Sequence, residues 1–215
     1  MHSPLHRDLE EGERATWLRI ALERLYVAAS QAAPSHQYEH WPRWATLLPH
    51  ILSALDAAEA SGDDTDPIGD LCHEAGNYLV QRADFARAER LLRRALASDE
   101  KHHGPEHQDT LSSDGSLAVL LYSKGDLAGA EPLSRRELEV LERTLGPEHS
   151  GTLRSINNLA VLRYHQGRLE EAEELMLRAV AGWEWVLGAG HPHTVGAKES
   201  LKDVREALDK QWVGL

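Results

Sequence analysis

Gly104-Pro105-Glu106-His107 and Gly146-Pro147-Glu148-His149 are the same tetrapeptide at an interval of 42 residues, and one more such step reaches Gly188 and His191. The register holds beyond the loop. Thr110, Thr152 and Thr194 keep it, as do Leu117-Ala118 with Leu159-Ala160 and Gly125 with Gly167. Further along the unit, Glu89, Glu131 and Glu173 keep the same interval, and so do Leu91, Leu133 and Leu175, and Arg94, Arg136 and Arg178. A fixed period of this size means a stacked array of supersecondary units, because one unit alone cannot bury its apolar face.

The stretch from Gly146 to Arg178 shows what is stacked. Leu153, Ile156, Leu159, Ala160 and Leu162 recur at helical spacing, which predicts an amphipathic helix over 152–165. Thr152 is its expected N-cap, where a hydroxyl can accept from an orphan N–H. Gly167 ends that helix. A second run, Leu169, Ala172, Leu175, Met176, Ala179 and Val180, predicts a partner helix with Glu170, Glu171, Glu173 and Glu174 at its positive end. Gly146 and Gly188 follow the last apolar residues of such second helices, where a positive φ is wanted. The unit is therefore helix, glycine turn, helix, glycine loop.

Asn158-Leu159-Ala160, Gly167, Glu171-Ala172 and Ala179 resemble the tetratricopeptide repeat, a helix pair with small residues where the helices cross. The 42-residue period with its Gly-Pro-Glu-His loop is similar to the repeats of kinesin light chain and of many bacterial and fungal arrays. The resemblance covers Pro67 to about Val204. It departs from the family pattern late in the first helix, where Arg163 and Leu121 stand in the usual tyrosine position and Tyr164 and Tyr122 come one place later. The implied fold class is all-α, a right-handed α-solenoid of tetratricopeptide helix hairpins. The expected organisation is a divergent N-terminal helical segment over 1–61, three repeats over 62–193 and a C-terminal capping helix over 194–215. In the first unit Asp66 and Pro67 read as N-cap and first-turn proline, and Gly76 takes the small slot of Ala118 and Ala160. The last helix, 194–210, has Lys202 and Asp203 where the preceding unit has Ala160 and Val161, so nothing is expected to stack beyond it.

The N-terminal segment falls outside the 42-residue register. Trp17, Leu18, Ile20, Ala21, Leu22, Leu25, Tyr26 and Ala29 form a helical stripe, and 32–38 reads as a loop. Trp41-Pro42 opens a further helix carried by Ile51, Leu52, Leu55, Ala58 and Ala60, with Pro49 expected to kink or break it. Met1-His2 and Leu5, with Trp41-Pro42 and Leu47-Leu48-Pro49-His50, resemble the junction in bacterial and fungal signalling NTPases of the STAND class, where a winged-helix segment leads into a repeat array. That resemblance implies a sensor arm attached to an upstream NTPase. The NTPase portion itself is absent from this chain, which has no G-x-x-x-x-G-K-[ST] phosphate loop.

Composition narrows the function. With 23 basic and 35 acidic residues the formal net charge is −12, which opposes generic binding to nucleic acid or anionic membrane. No apolar run approaches a membrane span, the N-terminus has no apolar signal core, and a single cysteine offers no internal disulfide, so a cytoplasmic location is expected. The chemistry-bearing groups do not assemble into a catalytic pattern. Of the 13 histidines, His107, His149 and His191 occupy one repeated loop position. Stacked helices are spaced by about 10 Å, so these three do not converge on one ion and are expected to bond neighbouring backbone. His102-His103 and His191-x-His193 lack an acidic or cysteine partner at a recognisable spacing. Asp63, Asp64 and Asp66 lack the calcium-loop pattern. Cys72 lies in an apolar stripe and reads as core, and no serine sits in a G-x-S-x-G elbow. No enzyme, cofactor or metal is expected.

A binding surface remains. The family resemblance implies that the first helix of each pair lines a concave groove that takes an extended peptide or a partner helix. The groove candidates are Arg154, Asn157, Asn158, Val161, Tyr164 and His165 in the third unit, Ser112, Val119 and Tyr122 in the second, and His73, Asn77 and Val80 in the first. Amide side chains both donate to and accept from a peptide backbone, arginine grips a carboxylate, and tyrosine offers flat apolar area with a polar tip. The alternative for Asn157 and Asn158 is packing between repeats. Arg90, Arg93 and Arg94 share one helix face, read as a solvated exterior or as a docking site for an acidic partner. Trp185 stands where Arg143 and Lys101 stand, so it is either covered by Trp212-Val213, the expected outcome, or offered to a partner.

Overall fold

Helix follows helix through the whole described chain. The computed structural model describes residues 4–31, 41–63, 65 and 67–213, with side chains over 12–31, 41–63, 65 and 67–211. Among these residues there are nine helices and no strand: α1 (Pro4–Ser30), α2 (Trp41–Ser61), α3 (Pro67–Gln81), α4 (Phe85–His102), α5 (Gln108–Ser123), α6 (Leu127–Thr144), α7 (Ser150–His165), α8 (Leu169–Leu187) and α9 (Pro192–Val213). The loop expected at 32–38, the N-cap expected at Asp66, Asp64, the side chains of Met1, His2 and Leu5, and those of Trp212 and Val213 lie outside the described residues.

The chain divides into two compact units, Met1–Ser116 and Leu117–Leu215. In the first, α3 packs on α4, and α1 and α2 pack on each other and on α3. Trp44 is fully buried and stacks on Tyr78 with centroids 5.9 Å apart, while Trp41 meets the same ring edge-on at 6.3 Å. These aromatics, with Ile51, Leu55, Ile68, Leu71 and Leu79, join the N-terminal pair to the first repeat hairpin. Gly76 is needed where α3 crosses α4, since a Cβ there would lie 2.7 Å from Leu92. Cys72 is fully buried, and desolvation pushes its thiol up to about 12, although Arg94 pulls the other way.

The stripe of the N-terminal segment forms α1, while the expected break at Pro49 does not occur. Of the α1 stripe only Leu22 and Ala29 are buried. Leu18 and Leu25 are half-buried, and Trp17, Ile20, Ala21 and Tyr26 are exposed. Within this unit α1 has packed helices on one side only, so a broad stripe cannot be covered all round. Pro49 does not break α2, which runs from Trp41 to Ser61. The proline removes one donor, but the buried Ile51, Leu55 and Ala58 after it continue the buried face begun by Trp44.

In the second unit α6 packs on α7, α7 on α8 and α8 on α9. Ala160, Ala172, Met176, Leu201 and Val204 form the core between the last hairpin and α9, edged by Val161, Tyr164, Leu175, Val180 and Leu208. In α9, Lys202 and Asp203 are exposed, consistent with a polar outer face on the last helix.

The repeated loops cap the helices differently from the expected scheme. Thr152 is not the N-cap of α7. That role belongs to His149, whose Nδ1 accepts from the Gly151 N–H at 3.1 Å. His107 and His191 do the same before α5 and α9, accepting from the N–H groups of Asp109 (3.3 Å) and His193 (3.2 Å). The threonine lies one turn inside, fully buried. The Thr110 and Thr194 hydroxyls donate back to the Gly104 and Gly188 carbonyls at 2.7 and 2.8 Å, while the Thr152 hydroxyl has no hydrogen-bond partner among the described residues. Gly104, Gly146 and Gly188 all have φ near +86°, from +85° to +88°, as the loop requires.

Candidate functional site

Helical spacing places Arg154, Asn157, Asn158, Val161, Tyr164 and His165 along one side of α7, because residues three, four and seven apart share a face. They divide by what they already touch. Arg154 is exposed and Asn157 and Asn158 are half-buried, and among the described residues none of the three side chains has a hydrogen-bond or ion-pair partner. Neither amide is hydrogen-bonded to another described residue, although both side chains are half-buried. Val161 and Tyr164 lean instead on the core that α7 shares with α9. They are half-buried and contribute an edge of apolar surface rather than a free side chain.

Tyr122, Tyr164 and His165 come together. The His165 ring lies 5.1 Å from Tyr122 and 5.2 Å from Tyr164, edge-on to both. Edge-to-face rings favour one another electrostatically, so the exposed His165 is held between two half-buried tyrosines. The face therefore offers two unbonded amides and a guanidinium, with an aromatic cluster at its C-terminal end.

The first unit presents a different picture. The Asn77 amide donates to His73 Nε2 at 3.2 Å, and Ser116 Oγ lies 2.9 Å from the same nitrogen. Val80 is half-buried beside them. Asn77 thus belongs to a bonded triad on its own unit. Arg90 and Arg94 face α2: Arg90 pairs with Asp56 at 3.3 Å, while Arg94 donates to the Leu55 carbonyl at 2.8 Å and lies 3.5 Å from Glu59. Arg93 pairs with Glu89 at 2.8 Å. These guanidiniums hold the chain's own acids.

The cover expected for Trp185, Trp212-Val213, has side chains outside the described residues. Trp185 itself is 77% exposed, at the end of an α8 stripe with exposed Leu177 and Ala181. Four-residue spacing aligns these three, whereas the same stripe in the preceding unit reads Arg135, Glu139 and Arg143.

An ionic network around the buried Arg163 supports α7 from behind, and sequence reading missed it. Arg163, at 4% exposure, pairs with Glu131 of α6 at 2.8 Å and with Glu171 of α8 at 3.3 Å, and donates to Gln166 Oε1 at 2.8 Å. Gln166 also donates to Glu131 at 3.0 Å, and Arg168 pairs with Glu131 and Glu171. Burial raises the Glu131 carboxyl, but hydrogen bonds from Gln166 and Arg163 and the charges of Arg163 and Arg168 outweigh it and hold it below its usual 4.5. The signal was the departure from tyrosine at position 163. A charge in an interior slot has to be paired. A second grouping, His103, His107 and Asp109, is likewise brought together only by the fold.

Comparison with known proteins agrees with this architecture. Family models described as tetratricopeptide repeat match residues 70–109 and 109–184. Together they span more than half the chain. The chain belongs to the tetratricopeptide repeat family. Among solved structures, the nearly identical TPR-like repeats of a kinesin light chain-like protein from Podosopora anserina superpose with a TM-score of 0.71 at 21% identity, covering 87% of this chain and 90% of that one. A point variant of the same protein gives 0.72 at 21%, covering 87% and 89%. BtubC (BKLC) from P. vanneervenii gives 0.63 at 17%, covering 89% and 84%. At these identities the likeness is one of fold. A comparison with curated protein sequences found no match. This tetratricopeptide repeat protein is thus all-α and of the solenoid class, a fold that generally serves as a protein-interaction scaffold rather than as a catalyst. No helix among its described residues is long and apolar enough to cross a membrane.

Proposed function

We propose that this protein binds an extended peptide segment of a partner protein along the α7 face and carries out no reaction itself. One observation carries the reading. Arg154, Asn157 and Asn158 project from one side of α7 with no partner among the described residues, although both amides are half-buried. The amide atoms are not among the buried atoms that lack a partner, so they open to solvent, and a peptide backbone can bond them in exchange for water at about 1 kcal/mol net per hydrogen bond. Arg154 selects a carboxylate, from an acidic side chain or a chain terminus. Tyr122, Tyr164 and His165 offer a flat apolar seat for a neighbouring side chain. Asn77 is not part of this site, because its amide is committed to His73.

Selection of displayed random peptides on the full chain tests the reading, with the Arg154→Ala/Asn157→Ala/Asn158→Ala variant as competitor. Enriched peptides should carry a carboxylate and bind the variant at least about tenfold more weakly, the loss expected from one or two such bonds. Peptides that bind both proteins equally would place the site elsewhere.

A second reading, the sensor arm of a signalling NTPase, is favoured by a separate observation. Trp17 is 69% exposed on α1, and Ile20 and Val27, on the same side of the helix, are exposed with it. Such a face suits cover by another domain. A genomic reading frame that continues upstream into a phosphate loop supports this reading, and a stop codon directly upstream removes it.

A further inference from the structure

The geometry points to a divalent transition-metal site, of the kind that holds Zn²⁺, at His103, His107 and Asp109. These residues lie at the junction of α4 and α5 and inside the first unit. The ligand atoms all lie within 4.8 Å of one another. Asp109 Oδ2 is 3.6 Å from His103 Nδ1 and 3.3 Å from His107 Nδ1. The two imidazole ring centroids are 4.6 Å apart, with the ring planes tilted by 37°. A direct N–H···O bond would close to about 2.7–3.2 Å. Ligands on a tetrahedral ion with bonds of about 2.0–2.1 Å stand about 3.3–3.4 Å apart, close to the two carboxylate–imidazole distances, 3.3 and 3.6 Å.

The repeat supplies an internal control. His107 recurs as His149 and His191, and all three cap a helix, so capping alone accounts for that position. It does not account for the other two. His103 stands where the later units have Leu145 and Leu187, and Asp109 where they have Gly151 and His193. The first junction thus has an imidazole where both later units have leucine, and a carboxylate where one has glycine and the other histidine, both beside the shared histidine. The neighbouring candidates lack this arrangement. His102 turns its Nδ1 to the Ser98 carbonyl at 2.9 Å, and His193 stacks on Trp183 at 4.9 Å with no carboxylate in its group.

Two imidazoles and a carboxylate are borderline donors that suit Zn²⁺ and neighbouring ions rather than Ca²⁺ or Mg²⁺. Three protein ligands leave a fourth position for water or an incoming donor. Coordination through His107 Nδ1 would replace its long hydrogen bond to the Asp109 N–H with a metal bond. The ion would tie the residue that ends α4 to the first turn of α5, so its effect is to brace the junction.

Tag-free chain, stripped with chelator, is titrated with Zn²⁺ in a calorimeter and then melted with and without the ion. One equivalent should bind, and the melting temperature should rise, because an ion that binds the folded state alone stabilises it. Cobalt in place of zinc should give the intense visible bands of a tetrahedral site. His103→Leu, which installs the residue of the later units, and Asp109→Asn should each weaken binding at least about tenfold. Both should leave the metal-free melt unchanged. No saturable uptake by the wild type, or equal uptake by the wild type and both variants, overturns the site.

Discussion

At the scale of the residue, the repeat provides its own standards, and departures from them are measurable. Gly125 and Gly167 turn the chain between paired helices at φ +81° and +75°, while the first unit places Ala83 in that slot at φ +57°. A left-handed conformation costs a non-glycine residue about 1 kcal/mol. Ala83→Gly should therefore stabilise the fold by about 0.5–1 kcal/mol, and Gly167→Ala should destabilise it by a similar or larger amount. Denaturant midpoints at unchanged slope check both. Cys72 gives a second test. Its thiol is fully buried and raised to about 12, so it should resist iodoacetamide in the native chain and react only as the first unit opens. Alkylation at a rate independent of denaturant would contradict the burial.

At the scale of the element, the hairpins of the second unit are held by an ionic network as well as by apolar contact. Arg168 and Gln166 still hold Glu131, and Arg168 still holds Glu171, so Arg163→Ala loses the charged hydrogen bonds of one buried guanidinium and should cost about 2 kcal/mol. The pH dependence follows from Glu131. Its carboxyl is held below 4.5 in the folded state, so the unfolded chain takes up its proton first as pH falls. The stabilisation is complete above about 4.5 and is lost as pH drops through the lowered folded value. Melting temperature should fall across that acid range, and Glu131→Gln should flatten the fall. Trp185 marks the opposite case. At 77% exposure it packs on little, so Trp185→Arg, the residue of the preceding unit, should change stability by less than about 0.5 kcal/mol. Helix identity and order were legible in sequence because glycine, leucine and alanine keep the 42-residue register. Helix starts were less so. Threonine is a common N-cap, but here a histidine ring takes that place and the threonine turns inward.

At the scale of the whole molecule, the sequence repeat and the structural likeness agree on an array of helical hairpins, and the net charge of −12 sets the terms for its partners. The residues of the candidate face could be placed on α7 from periodicity alone. Which of them are unoccupied could not, since Asn77 and Asn157 are the same residue type, each on the first helix of its hairpin. One is bonded to His73 and the other to nothing among the described residues. The His103, His107 and Asp109 grouping was hidden for a related reason: its spacing is set by a turn, not by a helix or a metal motif. Hydrogen exchange of the full chain, with and without a selected carboxylate-bearing peptide, tests the binding face most directly. Slowed exchange over 150–165 on α7, with α4 and the exposed end of α8 unchanged, is the expected result. Protection confined to α4 or to the Trp185 end of α8, with α7 exchanging as in the free protein, would contradict it.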